Sequence, residues 1–179
     1  DGVMTWRLRS GAVGSCAVLV PLHSVLGAKG YMRATGVRMT VENIDDAVTF
    51  ASMDLHPKLL EAVEAEGYEA PTPIQEAAIP VLISGRDVLG IAATGTGKTA
   101  AFTLPMLHRI LDLPPRRAPR GLVLVPTREL ALQVARAVHT YGKPAGIQVL
   151  PLYGGADFRP QLKALSRGVD VVVATPGRA

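Results

Sequence analysis

The sequence predicts an α/β fold in which a parallel β-sheet is covered by helices on both faces. Four short runs rich in β-branched residues alternate with helical segments. Each run is almost continuously apolar, as is typical of strands buried on both sides. Every run also ends in a turn that carries glycine or threonine. Ligands of such sheets bind at the carboxyl ends of the strands, so these turns are the first places to search for a site.

Composition sets limits on the class of protein. The chain has 179 residues, 48% of them apolar, which is enough to bury the core of one globular domain. Its single cysteine, Cys16, excludes an internal disulfide and a cysteine metal cluster. The net charge of +4 comes entirely from residues 1–40, because residues 41–179 carry 14 basic and 14 acidic side chains. Bulk charge therefore gives no reason to assign nucleic-acid binding to the folded part.

Residues 1–40 are predicted to be a leader of unknown status. Its arginines and broken apolar run weakly resemble a secretory signal, and the absence of acidic residues from 2 to 41 weakly resembles an organellar transit segment. Because the chain begins with Asp1, a third alternative is sequence upstream of a true start at Met32 or Met39. The apolar run is too short and interrupted to span a bilayer, so we expect no membrane partner. We assign no function to this segment and expect a cytoplasmic protein.

The elements of the domain follow in order from residue 53. An amphipathic run that opens at His56 and Pro57 predicts a helix stopped by Gly67, and "EAAIPVLISG" predicts a second helix that ends at Gly85. The four apolar runs predict strands at 87–93, 121–126, 147–153 and 170–176. Helical stretches after the first three strands are predicted at 98–111, 128–140 and 158–166.

The first strand-to-helix turn reads "ATGTGKT" and has the composition of a phosphate-binding loop. Gly95 and Gly97 allow positive φ, so successive N–H groups can surround a phosphate at a helix amino terminus. Lys98 would place its charge on the β- and γ-phosphates, and the Thr99 hydroxyl would bind Mg²⁺; these two are the candidate catalytic residues. Ala92 stands where the strictest form of the pattern has glycine. The predicted nucleotide contacts in the loop are Ala92, Ala93, Thr94, Gly95, Thr96, Gly97, Lys98 and Thr99.

The segment "GYEAPTPIQ" is the candidate reader of the nucleotide base. The side-chain amide of Gln75 both donates and accepts, which matches the N6 amino group and N7 of adenine and mismatches guanine. Pro71 and Pro73 would make the chain ahead of it rigid, and Tyr68 or the more distant Phe50 offers a ring to pack on the base. The alternative is a proline-rich helix cap with a glutamine behind it.

Six motifs in order carry a resemblance to a known family. They are Phe50, "GYEAPTPIQ", "AATGTGKT", "PTRELA", "GG" and "TPGR". Together they resemble the first RecA-like domain of a DEAD-box RNA helicase, over residues 50–178. The implied fold is a RecA-like P-loop NTPase domain at 50–179, with the glutamine motif at 50–76, truncated before its C-terminal strands. The YGG turn and the run "RGVDVVVATPGR" resemble the bacterial RhlE-like subgroup.

The resemblance implies ATP and Mg²⁺ as cofactors and RNA as partner. The turns after the last three predicted strands would bind the backbone of single-stranded or short duplex RNA without reading its sequence. From the residues alone, Thr127 and Thr175 are equally suited to cap helices, with Pro176 as a first helical residue. The implied RNA contacts are Pro126, Thr127, Arg128, Gly154, Gly155, Thr175, Pro176, Gly177 and Arg178.

The implied activity is that of an ATP-dependent RNA helicase as the intact parent protein. The sequence stops at Ala179, before the family's Asp-Glu-Ala-Asp motif, its Ser-Ala-Thr motif and its second domain. We therefore expect this chain to bind nucleotide and to hydrolyse essentially none. Glu129 is expected to be a helix-surface residue. Two alternatives stay open: another P-loop NTPase, such as a DNA helicase, and a non-catalytic, ATP-gated RNA clamp.

Overall fold

The computed structural model describes residues 4–5, 15–18, 20–21, 48–90, 92–114 and 118–179. Two short strands, β1 (Met4–Thr5) and β3 (Val20–Pro21), pair antiparallel. The main sheet consists of β2 (Ser15–Val18), β4 (Gly121–Leu124), β5 (Val149–Leu152) and β6 (Val171–Ala174). It is parallel throughout, with the order β2-β4-β6-β5. The carboxyl ends of β4, β5 and β6 therefore meet at one edge, as the sequence predicts.

Within the part of the chain that the structure describes, five α-helices surround the sheet. They are α1 (Pro57–Ala65), α2 (Pro73–Ile83), α3 (Lys98–Leu111), α4 (Arg128–Gly142) and α5 (Phe158–Arg167). Short 3-10 turns lie at Phe50–Met53 and Lys143–Ala145. The predicted helices are confirmed, with small differences at their ends. Within the described residues, no helix has both the length and the apolar character needed to cross a membrane.

Apolar side chains cover both faces of the sheet. Val123, Val171 and Val173 are fully buried in the main core, which α1 to α4 also line. On the opposite face, Val172 and Ala174 pack with Leu165 of α5. Because β6 is buried on both faces, its run of four apolar residues without alternation is explained. The predicted covering of the sheet by helices on both sides is confirmed.

The predicted strand at 87–93 is wrong for the residues that the structure describes. Val88 makes an isolated bridge, whereas Ala92 and Ala93 lie in a loop; residue 91 is outside the described residues. A strand has two edges, and those of β4 are occupied by β6 and by β2. The segment before the phosphate loop therefore finds no edge on β4. The predicted leader supplies β1, β2 and β3, and the rest of that prediction lies outside the described residues.

Charged and backbone groups tie the amino ends of the strands together. The guanidinium of Arg120 forms an ion pair with Asp170 and donates to the carbonyls of Ile110, at 2.8 Å, and Leu113, at 3.1 Å. The other carboxylate oxygen of Asp170 accepts a hydrogen bond from the Gln148 backbone N–H at 2.8 Å. This amino-end clasp joins the end of α3 to the starts of β4, β5 and β6.

Candidate functional site: a phosphate loop and three open turns

The phosphate loop, residues 92–99, has the backbone conformation that its glycines predict. Gly95 and Gly97 have φ values of 81° and 83°, in the left-handed region that favours glycine. α3 begins directly after the loop, at Lys98, and no side chain caps it. The first N–H groups of an uncapped helix are available to an anion, so the loop ends at a phosphate-binding helix terminus.

Lys98 lies inside the loop and is only 7% exposed. Its ammonium donates to the carbonyl oxygens of Ala92, at 2.6 Å, and of Ala93. The Thr96 hydroxyl also donates to the Ala93 carbonyl, at 2.8 Å. Phosphate oxygens are stronger acceptors for an ammonium than carbonyls are, so a bound phosphate would take over these contacts. The lysine side chain thus lies inside the loop, and its contact with the phosphates stays a prediction.

Gln75 is buried, at 3% exposure, and joins the segment before α2 to the phosphate loop. Its amide oxygen accepts from the Thr72 backbone N–H at 2.8 Å, and its amide nitrogen donates to the Gly97 carbonyl at 3.2 Å. The alternative that Gln75 belongs to a helix cap is therefore confirmed. These two bonds leave the Gln75 amide with one further N–H and one further lone pair on its oxygen, which are the groups needed to recognise adenine. Recognition of the base by Gln75 stays a prediction.

Thr72 is a supporting residue that the sequence analysis missed. Its hydroxyl donates to the Thr96 carbonyl at 2.9 Å, so it contacts the loop directly. The signal was present in the sequence, because Thr72 and Gln75 have the spacing of a capping box. The same pattern explains why α2 begins at Pro73, earlier than expected.

The two loop glycines meet different surroundings. A Cβ atom added to Gly97 would lie 2.4 Å from the Gln75 amide nitrogen, so only glycine lets the two segments approach. A Cβ atom added to Gly95 would find no other atom within 4 Å, which leaves room for a ligand. An open glycine, a helix terminus and a buried ammonium together fit the phosphates of a nucleotide.

A cavity of about 270 Å³ lies between the loop and α4. Gln133 of α4, which the sequence analysis did not single out, is exposed and lines this cavity. The cavity shows that the phosphate loop faces the first turns of α4, and thus the edge where the strands end. Its walls are Thr94, Gly95, Gly97, Lys98, Thr99, Phe102, Leu130, Gln133 and Val134.

Phe50 and Tyr68 lie away from this cavity. Phe50 is buried in the main core, and its ring stacks on Tyr68 with 6.1 Å between centroids. The Tyr68 hydroxyl is 2.9 Å from that of Tyr141, and burial, more than this hydrogen bond, raises the pKa of Tyr141. Neither predicted stacking ring lines the cavity. Packing of either ring on a base stays a prediction.

The three predicted RNA-binding turns lie side by side at the carboxyl edge. Thr127 caps α4, since its hydroxyl accepts from the Leu130 N–H at 3.3 Å, so its expected capping role is confirmed. Residues 176–178 form a turn in which the Arg178 N–H bonds the Thr175 carbonyl at 2.9 Å. Pro126 and Pro176 are exposed in these turns, as is Glu129 at the start of α4, where the sequence predicts a surface residue.

Glycines leave the surfaces of two turns open. Gly155 has a φ of 81°, in the left-handed region. Added Cβ atoms at Gly154, Gly155 and Gly177 would each meet no other atom within 4 Å. Another molecule can therefore approach the backbone N–H groups of these turns closely, which is what binding a phosphate backbone requires.

Two arginines at this edge lie on aromatic rings. The guanidinium carbon of Arg128 is 4.7 Å from the ring centroid of Tyr153, and that of Arg178 is 5.2 Å from the ring centroid of Phe158. The buried Gln161 donates to the Tyr153 carbonyl at 3.4 Å and supports the same turn. Tyr153 and Phe158 were not predicted as site residues. Their signal in the sequence is an aromatic residue on each side of the paired glycines.

Comparisons with known proteins match the same stretch of chain. The profile of the DEAD/DEAH box helicase family matches residues 72–179. An "ATP-dependent RNA helicase DeaD" of Mycobacterium tuberculosis (strain H37Rv) is 56% identical over 133 residues, 74% of this chain and 23% of that protein. The DeaD protein of Escherichia coli (strain K12) is 54% identical over 131 residues, 73% of this chain and 20% of that protein. The chain thus spans about a quarter or less of the length of these relatives.

Two solved structures are similar to a large part of this chain. The RNA helicase Prp28 from Chaetomium thermophilum, bound to ADP, matches with a TM-score of 0.67 and 40% identity over 75% of this chain and 34% of that one. A hypothetical ATP-dependent RNA helicase from Sulfolobus tokodaii matches with a TM-score of 0.62 and 35% identity over 69% of this chain and 35% of that one.

Proposed function

The chain belongs to the DEAD/DEAH box helicase family, and we propose that the intact protein containing it is an ATP-dependent RNA helicase. The observation that carries the proposal is a spatial one. The phosphate loop opens into a cavity whose other wall is α4, and α4 begins at one of three turns that together expose glycine backbone and two arginines. Nucleotide and RNA would thus bind to adjoining parts of one edge of the sheet.

The nucleotide would be ATP with Mg²⁺. Lys98 and the first N–H groups of α3 would hold the β- and γ-phosphates, and Thr99, which lines the cavity, would offer its hydroxyl to the metal ion. Mg²⁺ would supply charge neutralisation for phosphoryl transfer. The remaining hydrogen and lone pair of Gln75 would select adenine. The ADP in the similar Prp28 structure supports an adenine nucleotide.

The RNA would be held by its sugar-phosphate backbone, without regard to sequence. The open glycines offer N–H groups, and Thr127, Arg128, Thr175 and Arg178 offer hydroxyls and charge. Residues 41–179 have no net charge, so binding would depend on these placed groups rather than on a general positive field. Contacts of this kind position a strand and leave its bases unread.

Two finer assignments belong to the same proposal. The intact protein would act in the cytoplasm, in keeping with a single cysteine and no predicted membrane segment. Within the family, the YGG turn and the run around "ATPGR" favour a bacterial RhlE-like subgroup. The high identity to bacterial DeaD proteins supports a bacterial type of helicase more broadly.

The activity is tested by ATP hydrolysis and strand separation with the intact protein. We expect hydrolysis to be stimulated by RNA and not by DNA of the same sequence, and Lys98→Ala to abolish it. Short RNA duplexes should separate and DNA duplexes should not. A preference for DNA would show a different P-loop helicase, and RNA binding without hydrolysis would show an ATP-gated clamp.

The base assignment is tested by titrating ADP-Mg and GDP-Mg into the protein and its Gln75→Ala variant. We expect ADP to bind at least tenfold tighter, about 1.4 kcal/mol, and the preference to disappear in the variant. Thr72→Val is the matched control, because it removes a side-chain contact to the loop and keeps the amide. Loss of the preference in Thr72→Val as well would assign the effect to loop support rather than to base reading.

A further inference from the structure

We propose that Tyr153 and Phe158 are positioning residues for RNA, whose rings hold the guanidinium groups of Arg128 and Arg178 where a strand's phosphates arrive. The inference rests on the proposed RNA-binding function of the three turns and adds two residues to it. It starts from two separate arginine–aromatic contacts, at 4.7 and 5.2 Å, which lie on either side of the open Gly154–Gly155 turn.

The Arg128 side chain is positioned for an anion before RNA binds. It is exposed at the first residue of α4, and within the described part of the chain no carboxylate pairs with it. A guanidinium over the face of a ring does not spend its N–H groups on hydrogen bonds to that ring, so they stay available to an anion. The backbone of Tyr153 is itself held in place, because the Gln161 side chain donates a hydrogen bond to its carbonyl. The ring therefore seats the arginine without using up its donors.

Arg178 is prepared in the same way by a different element. Phe158, the first residue of α5, is 47% exposed and has the Arg178 guanidinium over its ring. A weak bond of 3.4 Å from Arg178 to the Ala156 carbonyl adds to the contact. Phe158 belongs to neither of the two described core clusters, so its contact with the arginine is the interaction that matters for this proposal.

Holding the two arginines in place before RNA binds should raise the affinity for RNA. An arginine loses much of its rotamer freedom when it binds a phosphate, and that loss is smaller when the side chain is already immobilised. A ring contact at an exposed site is weak enough for the arginine to adjust when a phosphate arrives. Two arginines seated by two elements would also keep a set spacing, which suits the regular repeat of a single strand. The rings would thus strengthen RNA binding without contacting RNA.

The test uses the intact protein, a fluorescent ten-nucleotide oligouridine and a non-hydrolysable ATP analogue, with RNA affinity measured by anisotropy. We expect Tyr153→Leu and Phe158→Leu each to weaken RNA binding about threefold to tenfold. Tyr153→Phe and Phe158→Tyr keep a ring and should bind RNA normally. Leu162→Ala is the matched control, because Leu162 is 46% exposed one turn along α5 and carries no aromatic ring. ADP affinity should not change in any variant. The unfolding midpoint is measured beside RNA affinity, because Tyr153 packs against the main core and its replacement by leucine affects stability as well.

A double-mutant comparison separates positioning from direct contact. In an Arg178→Ala background, Phe158→Leu should have no further effect on RNA affinity. A further loss in that background would overturn the proposal, because the ring would then act on RNA itself. Unchanged or tighter RNA binding in the single Leu variants would also overturn it. If Arg128→Ala and Arg178→Ala leave RNA affinity unchanged, the RNA-binding role of the turns fails, which is a distinct result.

Discussion

The two ends of the same three strands are built in opposite ways. At their amino ends, the amino-end clasp of Arg120 and Asp170 bonds α3, β4, β5 and β6 to one another, with side chains only 10% and 19% exposed. At their carboxyl ends, three turns expose glycine backbone and two arginines that rest on rings. One end uses its polar groups within the fold, and the other leaves them for a ligand.

Glycines make the contrast measurable, because the same added methyl group meets different surroundings. At Gly142, the last residue of α4, a Cβ atom would lie 2.7 Å from the Ile147 Cβ. At Gly121, which starts β4, it would lie 3.1 Å from the Ile110 side chain. At Gly154 and Gly177 it would meet nothing within 4 Å. The difference teaches that the closely packed end of the sheet and the open end, where we propose that ligands bind, lie opposite each other, and four experiments can break or sharpen that division.

The largest effect is expected from Arg120→Ala. The change leaves the Asp170 carboxylate in a mostly buried place without its ion pair, which should lower the free energy of unfolding by about 3 kcal/mol. Denaturant unfolding checks the value. Arg136→Ala, on the exposed side of α4, is the control and should stay within about 0.5 kcal/mol. ADP affinity should be unchanged below the unfolding transition; a marked loss would show that the two ends are coupled.

The glycine contrast is tested by the pair Gly142→Ala and Gly154→Ala. The first should destabilise the fold by about 2 kcal/mol through overpacking against Ile147, although its helical backbone tolerates alanine. The second should change stability by less than about 0.5 kcal/mol and weaken RNA binding by the intact protein. Thermal unfolding and RNA anisotropy check both variants. Equal losses of stability would contradict the division.

Lys98→Ala should act on ligand binding rather than on the fold. The variant removes a charged donor from the phosphate loop and should weaken ADP binding by about 1.5 kcal/mol, or more than tenfold. Calorimetric titration measures the affinity. Lys58→Ala, on the exposed part of α1, is the control and should bind ADP normally. Unaltered binding in Lys98→Ala would remove the loop from the nucleotide site.

The smallest effect concerns pH and Tyr141. Because burial raises its pKa in the folded state, the contribution of the neutral phenol to stability is fully present below the unfolded pKa of about 10. That contribution is lost as the pH rises above this value, at up to about 1.4 kcal/mol per pH unit. Tyr141→Phe should reduce the loss of stability between pH 10 and 11 by about 1 kcal/mol. The same pair compared at pH 7 isolates the hydrogen bond to Tyr68, and an equal pH dependence in both would refute the prediction.

Much of the fold could be predicted because the signals are local. The predicted α3, 98–111, is found as Lys98–Leu111, since a glycine turn precedes it and its apolar positions run on without a break. The cores of β4, β5 and β6 fall inside the predicted runs. The strand expected at 87–93 has the same local composition and is not formed, whereas both edges of β4 are occupied by β2 and β6. No local pattern reports which segments pair with β4.

The candidate site shows the same limit. Residue types and spacing were sufficient to place Lys98 and the loop glycines, since these act through their own backbone and charge. The contacts of Tyr153 with Arg128, and of Gln133 with the cavity, depend on how α4 packs beside the loop and β5. Such contacts join residues that are distant in sequence. Only the packed chain shows them.

The bonds from Lys98 to the carbonyls of Ala92 and Ala93 bear on how quickly a nucleotide can leave. An ammonium buried without acceptors would penalise an empty loop and slow product release. The phosphate loop provides carbonyl acceptors of its own. When a phosphate leaves, the Lys98 ammonium therefore exchanges hydrogen bonds to phosphate oxygens for hydrogen bonds to these carbonyls. We therefore expect a modest nucleotide affinity and a short residence time. Under the proposed function, these would suit repeated rounds of ATP binding and product release.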